Sequence, residues 1–290
     1  MDLRSPKLHK IFDAWIEEDL GNGDLTRFVL NNKIASAHWI AKEKGVFCGG
    51  EIVKLIFQKI DPTVDIKLLI KDGEKFSINQ RLLELNGSCS SLVAGERVTL
   101  NIAMHLSGIA TSTDSLVSKL TGSDINLADT RKTTPGLRVI EKYAFACGGG
   151  INHRLGLDDA AMLKENHIEW SKGIHESVKI LKKNIPWTKK VIVEAETPSQ
   201  AREAVTSGAD GVLLDEMSVE IIKKLVPELR QLAKSNISKN VSGSIVIEVS
   251  GINPENISDY VSTGIDLIST SASITKSNWI DFSMRFTKND

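Results

Sequence analysis

The densest run of chemically capable side chains in this 290-residue sequence lies between Asp129 and His167. It opens Asp129-Thr130-Arg131-Lys132, continues through Asn152-His153-Arg154 and closes Lys164-Glu165-Asn166-His167. Arg131, Arg154 and Lys164 are suited to gripping anions. A forked guanidinium matches a planar carboxylate, and each charge-assisted hydrogen bond contributes about 1.5–3 kcal/mol. Arg131 and Lys132 stand just ahead of Pro135, which is expected to open a helix with Leu137, Ile140, Tyr143 and Ala144 on one face. Two cations beside a helix N-terminus make an anion site, because the unpaired N–H groups and the helix dipole add to them. The same stretch holds six Lys or Arg and five Asp or Glu, so placement and not bulk charge must make the site.

A second set of reactive side chains follows short apolar runs. These runs are Ile125–Ala128, Ala160–Leu163, Val191–Val193, Val212–Leu214, Ile245–Val249 and Leu267–Ile268. Asp129 follows the first and Lys164 the second; Glu194 and Glu196 close the third, Asp215 the fourth, Glu248 and Ser250 the fifth, Ser269 to Ser271 the sixth. Helical stretches separate most of the runs, and one opens with the capping-box pattern Thr197-Pro198-Ser199-Gln200, another with Asn253-Pro254. Repeated strand–helix units imply parallel strands, whose C-terminal ends gather reactive groups. Six units satisfy a closed barrel and an open sheet equally. Gly148-Gly149-Gly150 reads either as a helix-stopping turn or as a loose phosphate loop lacking the Walker pattern.

The first third has a different rhythm. Leu8, Ile11, Phe12, Trp15 and Ile16 recur at helical spacing, and Ala35, Ala37, Trp39 and Ala41 alternate as in a strand. Val64, Ile66, Leu68 and Ile70 alternate too, and the turn Asp72-Gly73 leads to a further alternation at Phe76 and Ile78. Leu92 to Leu120 is helical, with a break expected at Gly108. Phe282, Met284 and Phe286 form a last strand with no helix after it, expected to return to the first domain.

Composition excludes several classes of function. With 41% hydrophobic residues, 25% charged and a net charge of −1, the chain has the material for a core and no basic excess for nucleic acid. No apolar run reaches the roughly 18 residues of a membrane span. Charges interrupt the N-terminal segment, unlike a secretory signal. Cys48, Cys89 and Cys147 lack zinc-type spacing and read as reduced thiols of a cytoplasmic protein. His105, His167 and His175 read as structural or surface residues.

The run DTRKTTPGLRVIEKYAFACGGGINHRLGLDDAAMLKENHI, Asp129 to Ile168, resembles the signature of the quinolinate phosphoribosyltransferases almost position for position. The resemblance extends to EEDLGNGDLT (Glu17 to Thr26), to AGERVTLNIAMHLSGIAT (Ala94 to Thr111), and to VEAET, LLDE and the final segment. It implies an α/β fold with an N-terminal α/β sandwich domain plus an open six-stranded α/β barrel. The expected bounds are 1–107, with 277–290 returning to it, for the sandwich, and 108–276 for the barrel.

The implied activity is transfer of phosphoribosyl from phosphoribosyl pyrophosphate to quinolinate with decarboxylation. The family's dicarboxylate pocket maps onto Arg131, His153, Arg154 and Lys164. Arg97 matches an arginine supplied by a neighbouring subunit, which implies a homodimer or hexamer with a shared active site. Lys132, Glu194 and Asp215 match residues that handle phosphoribosyl pyrophosphate and Mg²⁺, the last two as its ligands, and Glu196 is expected among the substrate-binding residues. Ser250, Gly251 and Ser271 fall where relatives cradle the 5′-phosphate, but with Ser250-Gly251-Ile252 for Ser-Gly-Gly-Ile and Thr270-Ser271-Ala272 for Val-Gly-Ala. Molybdenum-operon paralogues share TRK and GGG; Asn152 and Lys164, which they typically lose, favour the quinolinate enzyme here. A related pyridine phosphoribosyltransferase and a silent metabolite-binding paralogue remain as the other readings.

Overall fold

The computed structural model describes residues 2–30, 33–236 and 245–287. By its contacts the chain forms two units, one of Met1–Asp114, Thr133–Gly149 and Ser273–Asp290, the other of Ser115–Lys132 and Gly150–Ala272.

In the first unit, α1 (Pro6–Leu20) begins with proline at its first position, where a missing N–H costs nothing, and buries Leu8 and Phe12. β1 (Ile34–Ala41) turns Ala37, Trp39 and Ala41 inward, as its alternation requires. An antiparallel sheet forms in the order β12-β1-β5-β3, from β3 (Asp65–Leu68), β5 (Arg81–Ser88) and β12 (Phe282–Thr287). The last strand therefore does return, pairing Phe282 with Ala41 and Phe286 with Ala37; residues 288–290 of the expected tail lie outside the described residues. Against this sheet α2 (Gly50–Ile60) buries Val53 and Phe57, joining Trp39, Phe47, Leu83, Leu85 and Phe282 in one apolar cluster. Each large side chain so buried stabilises the unit by roughly 1.5–3 kcal/mol.

Three local expectations in this unit give way to tertiary constraints. The strands flanking Asp72-Gly73 do not form a hairpin: β3 pairs with β5, while β4 (Lys75–Phe76) pairs with β2 (Gly45–Val46). Asp72 serves a different purpose, its Oδ1 accepting the N–H groups of Gly49 and Gly50 at 3.0 and 2.9 Å at the start of α2. Gly108 does not break its helix. α3 (Cys89–Ser118) runs through it unbroken, because the missing Cβ is needed for packing: a carbon there would lie 2.1 Å from the Asn278 carbonyl oxygen. Nor does Pro135 open a helix directly. Thr134 to Leu137 form a turn, with Gly136 at φ +85, and α4 (Arg138–Cys147) starts after it. Gly148 then caps α4 and Gly149 adopts φ +89, so the triple glycine acts as a helix stop.

The second unit is built from β6 (Asn126–Ala128), β7 (Ala161–Leu163), β8 (Val191–Ala195), β9 (Gly211–Asp215), β10 (Val246–Ser250) and β11 (Leu267–Ser269). All five ladders are parallel, and the order is β6-β11-β10-β9-β8-β7. β6 and β7 are opposite edges, so the six-stranded, barrel-like sheet is open. Its crossovers carry α5 (Glu165–Glu169), α6 (Ile174–Asn184), α7 (Pro198–Thr206) and α8 (Val219–Asn236), and α9 (Ala272–Thr275) follows the last strand. The capping box of α7 forms as its sequence demands: Thr197 Oγ accepts from Gln200 N at 3.2 Å and Gln200 Oε1 from Thr197 N at 3.1 Å. Asn253-Pro254 opens a 3-10 helix, Pro254–Tyr260, in place of an α-helix. No helix among the described residues is long and apolar enough to cross a membrane.

Gly108→Ala should destabilise the protein by about 1–3 kcal/mol, since the obstructing atom is backbone and cannot swing away. A chemical-denaturation midpoint unchanged from that of the parent chain would show that the α3 contact is looser than described.

Candidate active site

Parallel strands share one C-terminal end, so register alone brings Asp129, Lys164, Glu194, Asp215, Ser250 and Thr270 to a common edge of the sheet. The contacts there are specific. Lys164 Nζ donates to Glu194 Oε2 at 2.5 Å, with Glu194 buried and Lys164 38% exposed. Ser250 Oγ donates to Asp215 Oδ1 at 2.5 Å, across a pair that the β9–β10 ladder sets directly opposite. Gly251 sits at φ +72 against this pair, where a Cβ would meet Glu216 Cγ at 2.5 Å and Asp215 Oδ1 at 3.3 Å. The turn therefore needs glycine at this position.

The loop after β6 is fixed by a buried carboxylate. Asp129, fully buried, accepts from Asn152 Nδ2 and from His153 N, both at 2.8 Å. Arg154 N then donates to His153 Nδ1 at 2.7 Å. A ring nitrogen that accepts carries no proton, which leaves Nε2 as the donor to Glu248 Oε2, 3.2 Å away. Both ring nitrogens of His153 are thus committed within the protein. It braces the loop, and any direct bond from the ring to a ligand requires Glu248 or the Arg154 amide to let go. The other oxygen of Glu248 is buried with no hydrogen-bond partner.

Arg154 reaches past this brace to donate Nη1 to the Ala160 carbonyl at 2.9 Å. Burial holds its pKa below the usual arginine value, the Arg131 charge pushes it the same way, and Glu194 opposes both. Two guanidiniums, Lys164 and Glu194 therefore share one electrostatic neighbourhood. Glu194 has its pKa raised by burial first, with Asp215 and Glu165 adding to the rise and Lys164 opposing it.

The remaining expected residues have the following surroundings. Lys132 is exposed, its amide donating to Thr130 Oγ1 at 3.0 Å. Glu196 is exposed at the cap of α7, its amide on Gln200 Oε1 at 2.8 Å. Ser271 lies in the loop after β11, which Thr270 shapes by accepting from Ala272 N at 3.1 Å and donating its own N–H to Ala128 O at 3.0 Å. Arg97 belongs to the first unit, exposed on α3 at a cleft of about 570 Å³ that also meets Glu18, Asp19, Asn101 and His105. In that cleft His105 Nε2 lies 2.9 Å from Glu141 Oε1, and Glu141 Oε2 accepts from Thr134 N at 2.8 Å. His167 also has a structural role, its Nδ1 accepting the Lys164 amide at 3.2 Å. Sequence reasoning placed Asp129 and Glu248 at the ends of apolar runs but assigned neither a role. The available signal was an acid inside or directly after an apolar strand, which is costly unless it is paired.

The sequence model for the quinolinate phosphoribosyl transferase C-terminal domain matches residues 109–285, and that for the N-terminal domain matches residues 24–107. The chain belongs to the quinolinate phosphoribosyltransferase family. It is 39% identical over 276 residues to the probable carboxylating nicotinate-nucleotide pyrophosphorylase of Synechocystis sp., covering 95% of this chain and 91% of the relative. The corresponding probable enzyme of Bacillus subtilis is 36% identical, covering 97% of this chain and 94% of that one. Among solved structures, NadC from Streptococcus pyogenes matches with a TM-score of 0.92 and 34% identity over all of both chains.

Within this family member the buried Glu194 has a thermodynamic consequence. A carboxyl whose folded pKa lies above its unfolded value binds its proton more tightly when folded, so stability falls as pH rises through the folded pKa. Glu194→Gln should therefore unfold at a higher temperature than the parent at about pH 7, with the gain shrinking as pH falls through the raised folded pKa and gone below about pH 4. Lys164 is exposed enough for water to replace its partner. A lower midpoint at neutral pH would mean that the Lys164 pairing outweighs the cost of burial.

Proposed function

We propose that the chain transfers the phosphoribosyl group of phosphoribosyl pyrophosphate to quinolinate with loss of CO₂, giving nicotinate mononucleotide and pyrophosphate in NAD biosynthesis. The observation that carries this reading is a cluster of cations: Arg131 is close enough to Arg154 to lower its pKa, and Lys164 pairs with Glu194, whose charge also reaches Arg154. Like charges held together in a partly buried place are unfavourable by themselves. A planar dianion between them relieves that repulsion, and quinolinate carries two adjacent carboxylates. Family membership supports the same substrate.

In this reading Arg131, Arg154 and Lys164 grip the two carboxylates and orient the ring nitrogen, which is mainly a gain from proximity. His153, held by Glu248 and the Arg154 amide, forms the wall that keeps Arg154 in place. The pyridine nitrogen attacks C1 of the ribose, and the C1–O bond to pyrophosphate breaks with its electron pair leaving on oxygen. Positive charge develops on the ribosyl group as in glycosyl transfer, and Glu194 and Asp215 stabilise it. Once the nitrogen is alkylated, the ring accepts the electrons released as the 2-carboxylate departs as CO₂. Water then supplies the proton to the ring carbon, so no dedicated base is required.

Glu194 and Asp215 are hard oxygen donors close enough to raise one pKa by the other's charge, and Mg²⁺ is commonly held by one or two carboxylates completed by substrate phosphates. The residues fit that ion, which when bound would offset the charge gathering on pyrophosphate. Lys132 and Glu196, both exposed, are assigned to phosphoribosyl pyrophosphate, and Ser250, Gly251 and Ser271 to its 5′-phosphate. Hydroxyls there do work that glycine-lined amides do in relatives. We assign Arg97 to the site of a second copy in a dimer or hexamer, supported by its exposed place at the α3 cleft. Three free cysteines accord with a cytoplasmic setting.

Arg154→Ala should weaken quinolinate binding on the order of 10- to 100-fold by calorimetry, the equivalent of one charge-assisted bond. Nicotinate, with one carboxylate, should bind the parent far more weakly than quinolinate. Unchanged quinolinate affinity in the variant would remove Arg154 from the pocket, and equal affinity for the two pyridines would remove the dicarboxylate reading.

A further inference from the structure

Two of the three cysteines meet inside the first unit. Cys48 precedes α2 and is fully buried; Cys147 is the last residue of α4 and partly exposed. Their sulfurs and a carboxylate oxygen of Asp72 all lie within 4.8 Å of one another. The surroundings hold both cysteines in place. The Cys48 amide donates to Ser107 Oγ at 3.0 Å, and Ser107 Oγ donates back to the Cys48 carbonyl at 3.3 Å. Tyr143, one helical turn before Cys147, donates its hydroxyl to Asp72 Oδ2 at 2.8 Å.

A metal centre is one use of such a trio, but Asp72 is already committed. Its Oδ1 accepts two amides at the start of α2 and its Oδ2 accepts from Tyr143. What remains available is a dithiol. We propose that Cys147 and Cys48 form a peroxide-reactive pair, with Cys147 as the attacking thiol and Cys48 as the resolving one, closing a reversible disulfide.

The electrostatics agree with that division of roles. Hydrogen bonding from the Cys48 thiol holds the Cys147 pKa below its ordinary value against burial and the Asp72 charge. Burial, with Cys147 and Asp72 adding to it, pushes Cys48 well up, so Cys48 keeps its proton. A lowered, accessible thiol beside a second cysteine is the arrangement that reacts with hydroperoxides. In the first step the Cys147 thiolate attacks one peroxide oxygen and the O–O bond breaks. The sulfur, oxidised by two electrons, becomes a sulfenic acid, and the leaving oxygen takes a proton to form water or an alcohol. In the second step the Cys48 sulfur attacks the Cys147 sulfur and the S–O bond breaks. The departing hydroxide carries off the Cys48 proton as water. The sum is two thiols and one hydroperoxide giving one disulfide, with the peroxide reduced.

Cys89, at the start of α3, has no place in this trio and serves as an internal control. The full-length protein would be treated with hydrogen peroxide, its remaining thiols alkylated, and its peptides mapped without reductant. The expected result is a Cys48–Cys147 linked peptide two hydrogens lighter than the sum, reversed by dithiothreitol, with Cys89 still alkylated. In Cys48→Ala the link disappears and dimedone traps a sulfenic acid on Cys147; in Cys147→Ala, Cys48 stays unoxidised. If Cys89 oxidises while the pair stays reduced, or if Cys48 reacts alone in Cys147→Ala, the proposal is overturned. Stoichiometric zinc in the purified protein, shielding both thiols until chelated, would overturn it in favour of a metal centre. Should either variant fail to fold, the parent peptide map decides alone.

Discussion

Everything at the candidate site depends on matching buried carboxylates with hydrogen-bond donors in a place with little water. Asp129, Glu194 and Glu248 are all buried at the carboxyl edge of the barrel sheet. An isolated buried carboxylate would simply take up a proton, so each must be matched by donors. Asp129 has the Asn152 side chain and the His153 amide, Glu194 has Lys164, and Glu248 has His153. Because every donor comes from the loop between α4 and β7 or the end of β7, pairing the acids also fixes Arg154 and the groups around it. The site is pre-organised by the same bonds that make burial tolerable.

The match is incomplete where function would need it to be. Glu194 still has its pKa raised, Arg131 and Arg154 still repel, and one oxygen of Glu248 still lacks a partner. Residual frustration of this kind is expected where a protein gives up stability for a ligand not yet bound. A dianionic substrate would relieve the cationic part, and a ribosyl group developing positive charge would relieve the anionic part. The loops after β10 and β11 are shaped by different chemistry. Gly251 is needed because the chain turns tightly against Asp215 and Glu216, while Thr270 uses its own hydroxyl to hold the Ala272 amide.

Much of the barrel was legible because parallel strands buried on both faces read as short apolar runs, and the polar residues closing them mark the shared edge. All six runs became strands within one or two residues. The returning strand was legible too, since Phe282, Met284 and the residues between them alternate strictly. What failed depended on partners distant in sequence. Asp72-Gly73 has the residues of a turn, but β3 pairs with β5, and Asp72 is taken up by the start of α2. Gly108 resembles a helix breaker until Asn278 is seen against it. The bond that braces His153 was not legible either, because its partner Glu248 lies 95 residues away. Pairings of that separation leave no local pattern.

The central claim is that these side chains hold a pyridine dicarboxylate for ribosylation and decarboxylation. Its most direct test is release of labelled CO₂ from the 2-carboxylate of quinolinate, with phosphoribosyl pyrophosphate and Mg²⁺ present and nicotinate as the parallel substrate. The account predicts equal amounts of CO₂ and nicotinate mononucleotide from quinolinate, and no mononucleotide from nicotinate. Turnover of nicotinate without quinolinate would contradict it, as would pyridine ribosylation with the 2-carboxylate retained.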